Sequence, residues 1–117
     1  MKPIELIVGT YTYTDSLGIY RFRFDPDSVS IDGSGIVTGI QNPSFLAVHP
    51  NGSYVFAVSE ISEGLVYSYQ IGKGDGVTLL RVEETGGAGP CHIELNRDGT
   101  AAVVSNYEDG SVASFLV

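Results

Sequence analysis

Residues 43–60, PSFLAVHPNGSYVFAVSE, set against residues 90–107, PCHIELNRDGTAAVVSNY, decide how this chain folds. The two stretches start 47 positions apart and share one pattern. Pro43 falls on Pro90, Leu46 on Ile93, Val48 on Leu95, Asn51-Gly52 on Asp98-Gly99, Phe56 on Val103, and Ser59-Glu60 on Asn106-Tyr107. After a one-residue slip, Gly64-Leu65-Val66 lies on Gly110-Ser111-Val112. Each copy reads as a short strand, a tight turn, a second strand, a glycine-containing loop and a third strand. Asn or Asp before Gly suits a type I turn closed by a left-handed glycine, so neighbouring strands are antiparallel.

In the first copy a fourth strand, VTLLRVEET (77–85), follows before the loop GGAG. Four meandering strands in roughly 40–50 residues is the period of a β-propeller blade. The opening segment fits the same template without its first strand: ELIVGTYT reads as a second strand, GIYRFRFD as a third and SGIVTGIQ as a fourth. The far end, GSVASFLV, reads as a third strand with no fourth. The expected fold is therefore all-β, built of four-stranded antiparallel meanders. Residues 1–42 form a blade lacking its first strand, 43–87 a complete blade, and 88–117 a blade lacking its last. Propellers close with about four to eight blades, and a seven-bladed ring at this period needs on the order of 330 residues. The chain reads as the N-terminal part of such a ring, whose open strand edges need the remaining blades or self-association to cover them.

Composition agrees. The chain has 117 residues, 43% of them hydrophobic and 17% charged, which is globular rather than disordered. Fifteen Gly and seven Tyr without Trp favour short strands and tight turns over helices. A formal charge of −8 disfavours nucleic acid and anionic membrane surfaces, so neither is an expected partner. The opening MKPIELIVGTYT is too short in apolar residues for a signal h-region, and nothing later approaches a membrane span. With one cysteine no internal disulfide can form, and a cytoplasmic setting is the default expectation.

The repeat also places chemistry. A hairpin turning near Asn51-Gly52 sets Ser44-Phe45 beside Val58-Ser59-Glu60, and its counterpart sets Cys91-His92 beside Ser105-Asn106-Tyr107. Both clusters are expected at one rim of the central channel. His92 reads as a channel-lining imidazole, either structural or a catalytic base. Cys91, its strand neighbour, should face the other way and pack as a small buried hydrophobe. Glu60 reads either as a solvated loop residue or as a substrate contact. His49, before the Pro-Asn-Gly turn, is expected to be structural, on the opposite rim. The run EETGGAG (83–89) has no helix behind it to cradle a phosphate and reads as the crossing loop between blades. The acidic turns DPDS and EDG match no EF-hand, and His92 with Glu60 is too few ligands for a metal site.

GTYT (9–12), GIYRFRFD (18–25), NPSFLAVHPNGSYVFAVSE (42–60) and above all GAGPCHIELNRDGTAAVVSNYEDGSV (87–112) together resemble the N-terminal blades of the lactonase family of seven-bladed propellers, which includes the propeller-type 6-phosphogluconolactonases. The resemblance implies hydrolysis of 6-phosphogluconolactone to 6-phosphogluconate, in the oxidative pentose phosphate route. It also implies that the family's Pro-Cys-His histidine falls on His92, its Asn-Tyr pair on Asn106 and Tyr107, and its Asn/Ser-Glu on Ser59-Glu60. The family's later Arg-His strand and second Asn-Glu have no counterpart here, so the active site is expected to be incomplete and the fragment inactive. Opening a lactone needs a base for water and donors for the developing oxyanion; no metal or cofactor is expected. A histidine at the rim suits the first task, and Asn106 or Tyr107 the second. A phosphorylated substrate needs cations that a chain of this charge leaves to other blades. The alternatives are a non-catalytic scaffold or ligand-binding propeller, and a muconate-type lactone cyclase.

Overall fold

The computed structural model describes residues 1–72 and 76–117, and among them there are ten strands and no helix. No helix long and apolar enough to cross a membrane is therefore present among the described residues. Strands β1 (Ile4–Val8), β2 (Ile19–Asp25) and β3 (Ser30–Val37) form one sheet. Strands β4 (Leu46–Val48), β5 (Tyr54–Ser59), β6 (Leu65–Ile71) and β7 (Val77–Glu84) form the second. Strands β8 (Pro90–Leu95), β9 (Ala101–Asn106) and β10 (Ser111–Leu116) form the third. Every pairing is antiparallel and joins strands consecutive in the chain.

The turns behave as their residues dictate. Gly52 and Gly99 both hold positive φ, 75° and 73°, a conformation that a Cβ penalises. Each donates its N–H back across the turn, Gly52 to His49 O at 2.8 Å and Gly99 to Asn96 O at 3.0 Å. The one-residue slip in the repeat is real: Leu65 pairs with Ser59, and Ser111 with Asn106. Several boundaries differ from the sequence reading: β1 ends at Val8 before GTYT, and β3 spans Ser30–Val37 where SGIVTGIQ (34–41) is expected. Strand β4 begins only at Leu46, because Asn42 at φ 47° and the Ser44 N–H to Asn42 O bond (2.8 Å) spend residues 42–44 on a tight turn.

Strand β5 explains how the three sheets stack. It runs buried from Val55 to Ser59, and its alternating side chains serve two cores. Val55 and Ala57 join Ile19, Ile40 and Tyr69 between the first and second sheets. Phe56 and Val58 join Val66, Ile93, Ala102 and Val104 between the second and third. A strand covered on both faces loses the polar alternation of a one-sided sheet, which is why YVFAVS is nearly continuous apolar sequence. Burial also pushes the Tyr69 phenol up to about 12.

Candidate active site

The site starts with GTYT. A Cβ on Gly9 would overlap the carbonyl oxygen of Pro43, so the backbone there approaches as only glycine allows. Thr10 N–H donates to that same oxygen at 2.9 Å. Thr12 donates its N–H (2.8 Å) and hydroxyl (3.2 Å) to Asn42 Oδ1, while Asn42 N–H donates to Thr12 Oγ1 at 3.0 Å. Pinned at both ends, the loop sets Tyr11 over Glu60: its hydroxyl lies 3.1 and 3.2 Å from the two carboxylate oxygens. Ser44 Oγ donates to Glu60 Oε1 at 2.7 Å, and Glu60 N–H donates to Asn42 O at 3.0 Å. Glu60 is thus a half-buried carboxylate held by two hydroxyls from different sheets.

The hydrogen bond to Glu60, then partial desolvation, raises the Tyr11 phenol above its ordinary value of 10.0. The folded state holds this proton more tightly than the unfolded chain. The associated stability is therefore present below pH about 10 and is lost as the pH rises through the folded value. Glu60→Ala is expected to bring Tyr11 titration down towards 10, read by NMR of ring-labelled tyrosine. An unchanged titration would mean that the phenol and carboxylate do not meet.

His92 reaches the same place by a different route. The crossing loop after β7 is laced onto the β5–β6 loop: Thr85 N–H donates to Gly64 O (2.9 Å), Gly64 N–H to Gly87 O (3.0 Å), and Gly89 N–H to Ile61 O (2.9 Å). The start of β8 is therefore tied to the residue that follows Glu60. A bulge then intervenes, with Pro90 opposite Asn106 but His92 opposite Ser105. His92 is exposed, and its ring lies 4.6 Å from that of Phe45. Ser44 and Phe45 are consecutive, so one dipeptide touches both candidates, Glu60 through the hydroxyl and His92 through the ring. The bulge also corrects the reading of Cys91. Taken out of strict alternation, its thiol is only half-buried and turns towards Ser105 O at 3.9 Å instead of packing in a core.

A rim built in this way invites comparison with known proteins. The sequence profile described as "Lactonase, 7-bladed beta-propeller" matches residues 5–117. The chain belongs to that lactonase family. It is 30% identical over 112 residues to a 6-phosphogluconolactonase of Bacillus subtilis, covering 94% of this chain and 32% of the relative. It is 33% identical over 117 residues to a 6-phosphogluconolactonase of Formosa agariphila, covering 96% and 33%. Among solved structures, the periplasmic gluconolactonase of Pseudomonas aeruginosa superposes with a TM-score of 0.91 at 31% identity, over 99% of this chain and 35% of that one. The chain spans about a third of the length of the relatives it matches.

Other residues of the chain take distinct places. Asn106 is 2% exposed; its Nδ2 donates to Ser111 Oγ at 3.0 Å, and that hydroxyl donates to Asp109 Oδ1 at 2.7 Å. Asp109 Oδ2 in turn accepts from Ala88 N–H at 3.1 Å, tying the β9–β10 turn to the crossing loop. The Ser111 hydroxyl, ahead of other bonds, lowers the Asp109 pKa. Tyr107 is 81% exposed, with its N–H donating to Gly89 O at 2.9 Å, so its ring is free to meet a ligand. His49 sits at the other end of the sheets, Nδ1 accepting from Asn51 N–H (3.1 Å) and Nε2 beside Gly99 O (3.1 Å). With Nδ1 accepting within its own turn, Nε2 donates to Gly99 O, and that second bond ties one turn to the other. Among the described residues no three His, Cys, Asp or Glu side chains converge as metal ligands. Sequence reading sets Ser44 beside Glu60 but overlooks Tyr11. The signal for the tyrosine is GTYT itself, a stretch with no obvious job until Gly9 and Thr12 are seen to aim the ring.

Proposed function

We propose that the protein hydrolyses a sugar lactone, with 6-phosphogluconolactone the leading substrate and 6-phosphogluconate the product. The observation that supports this reading is the Ser44-Phe45 pair, whose hydroxyl donates to the Glu60 carboxylate while its ring lies 4.6 Å from that of His92. His92 takes a proton from water as the oxygen attacks the lactone carbonyl. The C–O bond of the ring then breaks, and the proton passes from the imidazole to the departing ring oxygen. Glu60 accepts from sugar hydroxyls, Tyr107 covers the ligand, and Asn106 acts by positioning, through Ser111 and Asp109, the loop that precedes His92. The three-, four- and three-stranded sheets support blades over 1–42, 43–87 and 88–117, the first without an inner strand and the last without an outer one. Other blades of the same protein, or further copies, cover those edges and supply the cations that a phosphate needs. The proposed setting is cytoplasmic, which cell fractionation checks.

The test uses full-length protein carrying this sequence, 6-phosphogluconolactone and its unphosphorylated analogue. Enzymatic opening with kcat/KM of about 10⁴–10⁸ M⁻¹s⁻¹ is expected for the preferred lactone, and residues 1–117 alone should not accelerate the reaction. No acceleration of either lactone by the full-length protein would leave a binding ring in place of an enzyme.

A further inference from the structure

We propose that Arg21 and Ser34 form a binding site for a small oxyanion, inorganic phosphate being its simplest member, in the interface between the first two sheets. Arg21 lies on β2 and is only 9% exposed, yet its Nη1 is buried with no hydrogen-bond partner among the described residues. The Ser34 hydroxyl is buried and unpartnered in the same way. The two are brought together by a bulge: Arg21 pairs with Gly35 while Phe22 pairs with Gly33, leaving Ser34 as the extra residue on β3. Bulges re-aim side chains, and at this one Ser34 and Arg21 line the same cavities.

Both residues line the same two cavities, of about 370 and 540 Å³. The first also holds Arg23 and Glu5, but these neutralise each other across a 2.9 Å ion pair. Among the described residues Arg21 is thus the uncompensated charge. The second is bordered by Tyr69, whose phenol stays protonated through the physiological range. The unsatisfied groups are a cation and a hydroxyl, a set that suits an oxyanion, and a guanidinium offers its fork to two oxygens at once. Val48, Gly52 and Gly72 border the first cavity at the end of the sheets opposite Glu60, so the site stands apart from the catalytic rim.

Thermal melts of the full chain in phosphate, against chloride of equal ionic strength, test this. With phosphate tenfold above its Kd, Tm should rise by about 3–6 °C. Arg21→Met should abolish that rise and, without phosphate, melt no lower than the parent, since it removes a buried charge that lacks a partner among the described residues. Ser34→Ala should weaken phosphate binding by about 2–10-fold, read by calorimetry. His92→Ala should leave the phosphate response intact. A parent that does not respond, an Arg21→Met protein that responds equally, or unchanged affinity in Ser34→Ala would each overturn the proposal.

Discussion

Replacing His92 by alanine in the full-length protein is expected to lower kcat/KM for lactone opening by about 10²–10⁴-fold while leaving the melting temperature near that of the parent. The two halves of this expectation come from one fact of placement. The imidazole is exposed and rests on the Phe45 ring, so little packing is lost with it. A proton acceptor, in contrast, has no substitute at that point of β8, where the neighbouring thiol turns towards Ser105. Steady-state kinetics with a pH-indicator assay reads the first half and calorimetry the second. A variant with full rate would move the base elsewhere, and one that is slow only because it is unfolded would make His92 structural.

Ile93→Ala is expected to have the largest effect on stability, a loss of about 2–5 kcal/mol by urea denaturation. Ile93 is 1% exposed and packs with Phe56, Val58, Val66, Ala102 and Val104, where the second and third sheets meet. Removing its branches leaves a cavity lined by residues of three strands that pair with other neighbours and cannot collapse freely. The residue is also next to His92, so a looser β8 should cost activity as well as stability. Val103→Ala, on the same hairpin but 46% exposed, should change stability by no more than about 0.5 kcal/mol. Equal losses at the two positions would mean that the sheets do not pack through this core.

Much of the architecture was legible because its information is local. Asn51-Gly52 and Asp98-Gly99 mark hairpin turns by residue type alone, and the offset between the two copies carries strand register with it. The same register sets Ser44-Phe45 beside Glu60, and Cys91-His92 beside the end of β9. What escaped reading depends on backbone detail or on distance along the chain. The Pro90–His92 bulge breaks an alternation that sequence reading takes as strict, and with it the inward turn expected of Cys91. Tyr11 meets Glu60 across 49 positions, a contact no periodicity encodes. Asn106 stands out in the sequence by its place in a motif, and its burial against Ser111 follows from a turn geometry that motif spacing does not report. Arg21 sits in a strand whose pattern simply marks it as facing inward; that its Nη1 has no hydrogen-bond partner among the described residues emerges only from its surroundings.

The most direct measurement is a crystal structure of the full-length protein with the hydrolysis product bound. The product carboxylate is expected within hydrogen-bonding distance of His92, with sugar hydroxyls on Glu60. Product lodged instead beside His49, at the far end of the sheets, or bound without contact to either residue, would contradict the account.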